Sequence, residues 1–255
     1  MAIIHTYDNY NDVHFWNIYY NGTTVTSSGT SGTPKPIFQP PEKIRAASKA
    51  AIKTQEISFE STIYTCTRPT HVSGLFAQTM PGLMVGADVY LTKFNPYDFV
   101  READKFTHSH LTPMQAKGVM ATKGFKNMDF TGKTFMCGAE PVTYDIIEAF
   151  VERGAKFICI WGMSEIGPNA IMHVFNNMDE VQEMKAKTPP NTTLLGNIFN
   201  CDYKIDDNNC LWVKGDICVF DDWYNTKDQV IEQDGILFYK GRDGTPVDFN
   251  KPRKG

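Results

Sequence analysis

The sequence predicts an α/β protein: a mostly parallel sheet with flanking helices, followed by a smaller antiparallel β subdomain. Short β-like runs alternate with helix-period segments up to Trp161. After Asn191 the runs become short and are split by Gly, Asn and Asp. The composition, 42% hydrophobic with 17 Phe and 11 Tyr against 21% charged, can fill such a core. A length of 255 residues accommodates one large domain or two small ones. The boundary falls at Thr188-Pro189-Pro190-Asn191, dividing an α/β subdomain over 1–190 from a β-rich subdomain over 191–255.

In chain order, Phe15, Trp16, Tyr19 and Tyr20 make an aromatic lead-in to a strand that ends near Thr26. Ile44, Ala47, Ala51 and Ile52 recur at helical spacing and predict a helix from Glu42 to about Glu56. Strands are expected at Ser61–Thr65, Asp88–Leu91, Thr107–His110, Lys133–Cys137 and Lys156–Trp161. Between them, helices are expected at Gly74–Val85, Pro96–Phe106, Pro113–Lys123 and Thr143–Arg153. The β-rich part offers Leu194–Ile198, Asp202–Ile205, Cys210–Val213, Asp216–Phe220 and Ile236–Tyr239. There is no internal repeat and no low-complexity segment.

A formal net charge of -4 leaves no basic footprint for nucleic acid. No stretch approaches the ~20 apolar residues of a membrane span, and the N-terminus lacks signal-peptide character. Cys66, Cys137, Cys159, Cys201, Cys210 and Cys218 have no metal-ligand spacing, which favours reduced thiols. These features predict a soluble cytoplasmic protein. The aromatic lead-in, Phe15 included, offers apolar surface for self-association into a homo-oligomer.

The most informative stretch is Thr26-Ser27-Ser28-Gly29-Thr30-Ser31-Gly32-Thr33-Pro34-Lys35. It gathers hydroxyls, two glycines and a lysine on one loop after a strand. Glycine lets backbone N–H groups turn towards an anion, and hydroxyls and lysine add donors suited to a polyphosphate. Pro34 and Pro36 around Lys35 break the Walker pattern, which requires Gly-Lys-Ser/Thr, and this argues against a third reading, a P-loop kinase or NTPase. Two more turns follow predicted strands, where α/β sheets bind ligands. Gly138-Ala139-Glu140-Pro141 is small enough for a flat base to lie on it. Trp161-Gly162-Met163-Ser164-Glu165 offers an aromatic face, a close approach and a carboxylate beside a hydroxyl, suited to a hard cation. His71 stands before a predicted helix, where a lone histidine is more often structural than catalytic.

These motifs, in this order, resemble the adenylate-forming superfamily of acyl- and aryl-CoA synthetases, peptide-synthetase adenylation domains and luciferases. Its loop reads Thr-Ser-Gly-Thr-Thr-Gly-x-Pro-Lys, its adenine turn Gly-Gly/Ala-x-Pro, and its signature aromatic-Gly-x-Thr/Ser-Glu. The resemblance implies ATP/AMP and Mg2+ as cofactors, Glu165 as magnesium ligand and Ser164 as phosphate contact. It further implies Trp161, Gly162 and Met163 in the walls of the base and acyl sites, with Lys35 and His71 near the chemistry. Leu211-Trp212-Val213-Lys214-Gly215-Asp216 and Trp223-Tyr224-Asn225 resemble the family's Glu-Leu-x-Val-x-Gly and Gly-Tyr-x-Asn stretches. Asp234–Asp243 resembles Asp-Gly-Trp-x-x-Thr-Gly-Asp, whose last aspartate holds the ribose hydroxyls. Asp243 is the preferred candidate and Asp216 its rival.

The chain is shorter than the family norm: 25 residues precede Thr26, and the sequence stops where the family's mobile C-terminal domain would begin. Two functions are therefore compatible with it. The first is a minimal enzyme activating a small-molecule carboxylate with ATP to an acyl-adenylate and pyrophosphate, with CoA or a carrier protein as acceptor. The second is a non-catalytic module that binds AMP, ATP or an acyl-adenylate.

Overall fold

Five parallel strand pairings form the centre of the fold. The structure is a computed structural model and describes residues 4–6, 10–26, 35–242 and 244–247. The chain opens with β1 (Ile4–Thr6), α1 (Asp12–Asn21) and a hairpin of β2 (Thr23–Thr26) and β3 (Pro36–Gln39). It continues with α2 (Pro41–Gln55), β4 (Thr62–Thr65) and a helical stretch of α3 (Val72–Gly74), a π turn (Leu75–Thr79) and α4 (Met80–Val85). Then come β5 (Asp88–Leu91), α5 (Pro96–Glu102), β6 (His108–Leu111), α6 (Pro113–Met120), β7 (Thr134–Cys137) and α7 (Tyr144–Val151). The segment closes with β8 (Lys156–Met163), β9 (Gly167–Phe175) and α8 (Met178–Lys187). The remainder is β10 (Thr193–Gly196), β11 (Ile198–Phe199), β12 (Asp202–Ile205), β13 (Cys210–Lys214), β14 (Tyr224–Gln233), β15 (Ile236–Arg242) and β16 (Thr245–Pro246).

The large sheet runs β1-β5-β4-β6-β7-β8-β9-β11, parallel as far as β8 and antiparallel at β9 and β11. The smaller sheet, β10-β15-β14-β13-β12 with β16 on β15, is antiparallel throughout. The expected architecture is therefore present. Leu194, Ile236 and Phe238 of the smaller sheet share a buried cluster with Phe157 and Phe175 of the large one, so the two sheets meet across a common core.

Local chemistry sets the helix ends. Pro41 begins α2, where its missing N–H costs nothing, and Glu56 ends it in the left-handed region at φ 61°. Thr112 and Gln115 form a reciprocal capping box on α6. Three expectations need correction. The lead-in is a helix, α1, capped by the Asn11 side chain, and its Phe15 is fully buried, so it cannot belong to an exposed patch. Val13, Trp16 and Tyr20 of α1 are exposed, as is Phe38 of β3. The segment Asp216–Phe220 is a turn: Ile217 and Cys218 are both buried, which a half-buried strand's alternation forbids. Leu194–Ile198 is divided, and β11 joins the large sheet. All six cysteines are free thiols, four of them buried.

Candidate functional site

The β2–β3 hairpin frames the Ser/Thr/Gly loop, with Thr26 opposite Pro36 at its mouth. Ser27, Ser28, Gly29, Thr30, Ser31 and Gly32 lie outside the described residues; Thr26 and Lys35 flank them. Val25, 2% exposed, anchors the stem in the core. Gln39, buried at the other end of β3, donates its side-chain amide to the Ser164 carbonyl at 2.7 Å. The stem of the loop is thereby tied to the turn that carries Glu165.

At the end of β7, Gly138 lies against β8 so closely that a Cβ would strike the carbonyl oxygen of Ile160. The next residue, Ala139, adopts φ 73° and is exposed. A non-glycine residue in that region is uncommon and marks a constrained turn. Glu140 and Pro141 are half-buried beside it.

Trp161, Gly162 and Met163 end β8, and Ser164 and Glu165 form the turn into β9. Gly162 has a packing reason for being glycine, since a Cβ there would collide with the backbone of Gly167 and Pro168 on β9. Close approach at this position is to the neighbouring strand. Glu165 is half-buried, and its carboxylate has no ion-pair or hydrogen-bond partner among the described residues. A carboxylate so placed suits a hard cation. No cluster of three or more metal-ligating side chains surrounds it among the described residues. That sparse donor set suits magnesium, which uses one or two carboxylates and takes its remaining oxygens from water and substrate phosphates.

The other wall comes from the smaller sheet. Asp228 on β14 is 2% exposed and lies directly opposite Arg242 on β15. Its Oδ1 is 3.0 Å from Arg242 Nε, and its Oδ2 accepts from Trp161 Nε1 at 3.0 Å. Arg242 Nη2 also donates to the Thr226 carbonyl at 2.9 Å. The Tyr224 hydroxyl is pushed above its ordinary pKa, first by burial and then by the Glu165 carboxylate, with Arg242 opposing and Asp228 adding. Trp161 and Met163 from the large sheet thus meet Asp228 and Arg242 from the small one.

His71 and Asp216 make no side-chain hydrogen bond or ion pair with this cluster among the described residues. His71 is exposed at the start of α3, and partial burial, then the Arg68 charge, lowers its pKa. Asp216 is exposed on a turn that shares a depression with Glu42, Arg45 and Lys49. Asp243 lies outside the described residues. Asp234-Gly235, read from sequence as the start of a ribose motif, is the two-residue turn of the β14–β15 hairpin, with φ 54° and 74°. Asp228 was not singled out from the sequence. Its signal was available, because Thr226-Lys227-Asp228 has the Thr-x-Asp spacing of the Thr-Gly-Asp pattern.

The family model for AMP-binding enzymes matches residues 23–223. The chain belongs to the AMP-binding enzyme family. Over 149 residues it is 29% identical to the indoleacetate–CoA ligase of Aromatoleum aromaticum, covering 56% of this chain and 29% of that protein. A feruloyl-CoA synthase of Amycolatopsis is 26% identical over 106 residues, or 40% of this chain and 22% of the relative. Among solved structures, ATP-bound MatB from Rhodopseudomonas palustris superposes with a TM-score of 0.72 at 15% identity. That match covers 86% of this chain and 47% of MatB. The O-succinylbenzoate coenzyme A synthetase of Bacillus subtilis, in complex with ATP and magnesium, gives 0.72 at 18%, covering 86% and 50%. The AMP-binding chain spans less than a third of these curated relatives and about half of these solved structures.

Proposed function

We propose that this AMP-binding family chain binds ATP and activates a small carboxylate as an acyl-adenylate. The observation that carries the reading is the meeting of the Trp161–Glu165 turn with Asp228 and Arg242 beside the carboxyl ends of the parallel strands. In the reaction, a carboxylate oxygen bonds to the α-phosphorus in line with the departing pyrophosphate oxygen. Gly138–Pro141 would support the base and Trp161 would face it. Asp228, with acceptors on both oxygens, is suited to the vicinal ribose hydroxyls; it replaces Asp243 and Asp216 in that role. Thr26–Lys35 would receive the phosphates, with Lys35 opposing the charge that builds up on pyrophosphate, and His71 would lie towards the acyl side. Magnesium, held by Glu165 and the phosphates, would supply further charge neutralisation.

The relatives' names point to aromatic acids and CoA, so an aromatic carboxylate and CoA or a carrier protein are the proposed substrate and acceptor. Free cysteines fit a reducing, cytoplasmic location, and among the described residues no helix is long and apolar enough to cross a membrane. The exposed faces of Val13, Trp16 and Tyr20 suit self-association into a homo-oligomer.

Thermal unfolding with ligands tests the reading. A ligand at about 100 times its Kd stabilises the folded state by about 2.7 kcal/mol, roughly 5–10 °C for a chain of this size. Millimolar ATP with magnesium is expected to give such a shift, and GTP a smaller one. Glu165→Gln should remove the magnesium-dependent part and leave the AMP shift unchanged. Equal loss for AMP and ATP would make Glu165 structural, and no shift with any adenine nucleotide would remove the proposed function.

A further inference from the structure

Asp228 poses a problem of orientation. The torsion that turns a carboxylate about its last bond is broad and roughly two-fold, so packing alone sets it loosely. A vicinal diol, however, needs both oxygens presented to it at once. Burial makes the charge costly unless it is paired, and Arg242, opposite on β15, provides that pairing at Oδ1. The second constraint comes from another sheet. Trp161 ends β8, and its indole N–H meets Oδ2 at 3.0 Å across a sequence separation of 67 residues. An indole nitrogen can only donate, so Asp228 must accept and the direction of this bond is unambiguous.

The rest of the platform is held independently of the indole. The Asp228 amide donates to Thr226 Oγ1 at 3.1 Å, and that hydroxyl donates to the Leu211 carbonyl at 2.7 Å. Arg242 is held by the Thr226 carbonyl. Backbone and guanidinium are thus placed by the small sheet, and the carboxylate's rotation is tied to the large one. We propose that Trp161 is a positioning residue: its indole N–H orients the Asp228 carboxylate, so the site distinguishes a nucleotide with ribose hydroxyls from one without them. This inference rests on the nucleotide reading above and adds to the ring's stacking role. An ionised carboxylate has about four acceptor positions, so donors from the protein and from a diol are compatible.

The test compares ATP with 2′,3′-dideoxy-ATP, each with magnesium, by calorimetric titration of the wild type and of Trp161→Phe, which keeps an aromatic face and loses the donor. The wild type should prefer ATP by about tenfold or more. In Trp161→Phe, the preference for ATP over dideoxy-ATP should fall about five- to tenfold, since a hydrogen bond to a charged group is being removed, whereas the change of stacking ring acts on both ligands alike. Equal weakening of both ligands, or an unchanged preference, would overturn the proposal and leave Trp161 as a packing or stacking residue. A wild type that binds both equally would defeat the ribose assignment of Asp228 and this inference with it. A wild type that binds neither would defeat the nucleotide reading itself. If Trp161→Phe does not fold, the wild-type indole N–H resonance decides, assigned by replacing Trp16, Trp212 and Trp223 in turn. ATP should shift it clearly further than dideoxy-ATP, which brings the same base to the ring, whereas equal shifts would overturn the proposal.

Discussion

Phe150→Ala is expected to cost about 3–5 kcal/mol of folding stability, the range for truncating a buried aromatic. Phe150 lies on α7 with no exposed surface. Its ring stacks on Phe130 at 5.4 Å and meets Phe135 edge-on at 5.1 Å, with Phe125 and Phe157 at 5.4 and 5.7 Å. Aromatic pairs in such offset and edge arrangements add to simple area burial. The loss also reaches the site, because Phe135 belongs to β7, the strand that delivers Gly138 and Ala139. Phe150→Leu should recover most of the loss. Urea unfolding at pH 7.5 checks this, and a cost below about 1.5 kcal/mol for the alanine variant would mean that the cluster collapses around the gap.

The second large effect is loss of stability in mild acid. His110 on β6 is completely buried, and desolvation brings its pKa down from 6.5 to about 4. Its Nδ1 is 2.8 Å from Thr67 Oγ1, and its Nε2 has no hydrogen-bond partner among the described residues. A depressed histidine pKa means that the unfolded chain binds a proton which the folded one refuses. Stability from this group is therefore complete above about pH 6.5 and declines as pH falls towards 4. Between pH 7.5 and pH 5 the loss should be about 2 kcal/mol. His108 and His173 are shifted in the same direction, burial being the leading cause in each. The histidine-110 share is isolated by His110→Leu, in which the Thr67 hydroxyl keeps the backbone carbonyl of residue 110 as an acceptor. The variant should lose about 2 kcal/mol less than wild type over that interval. An identical acid loss in both proteins would contradict the assignment.

Much of the parallel sheet could be read from sequence because its strands are short apolar runs between strong punctuation. Lys133–Cys137 and Lys156–Trp161 announce themselves in this way. The strand β9 did not, since it carries polar residues inside the core. Asn169, with no exposed surface, donates to the Ala47 carbonyl at 3.1 Å, and His173 Nδ1 lies 2.8 Å from Asn197 Oδ1. Tertiary hydrogen bonds there satisfy groups that a pattern reading assigns to solvent. The helix α8 was missed for a related reason: it buries only Val181 and Met184 among ten residues, too narrow a stripe for periodicity to detect. Its better signals were acidic residues in the first turn and lysines in the last. The motifs that end strands β7 and β8 were legible because they are contiguous. The proposed ribose wall was harder to read, because Asp228 and Arg242 are assembled by strand register across a hairpin, and the motif's expected glycine is Lys227 here.

Exchange of labelled pyrophosphate into ATP, measured with and without aromatic carboxylates such as indoleacetate and ferulate, tests whether the chain activates a carboxylate. Exchange requires reversible formation of an acyl-adenylate, so it reports the proposed reaction without needing an acceptor. Exchange should depend on a carboxylate and fall by about 10²–10³ in Lys35→Ala, the typical cost of losing one donor to transition-state charge. Binding of ATP with no exchange for any carboxylate in the panel would contradict activation and make the chain a nucleotide-binding module.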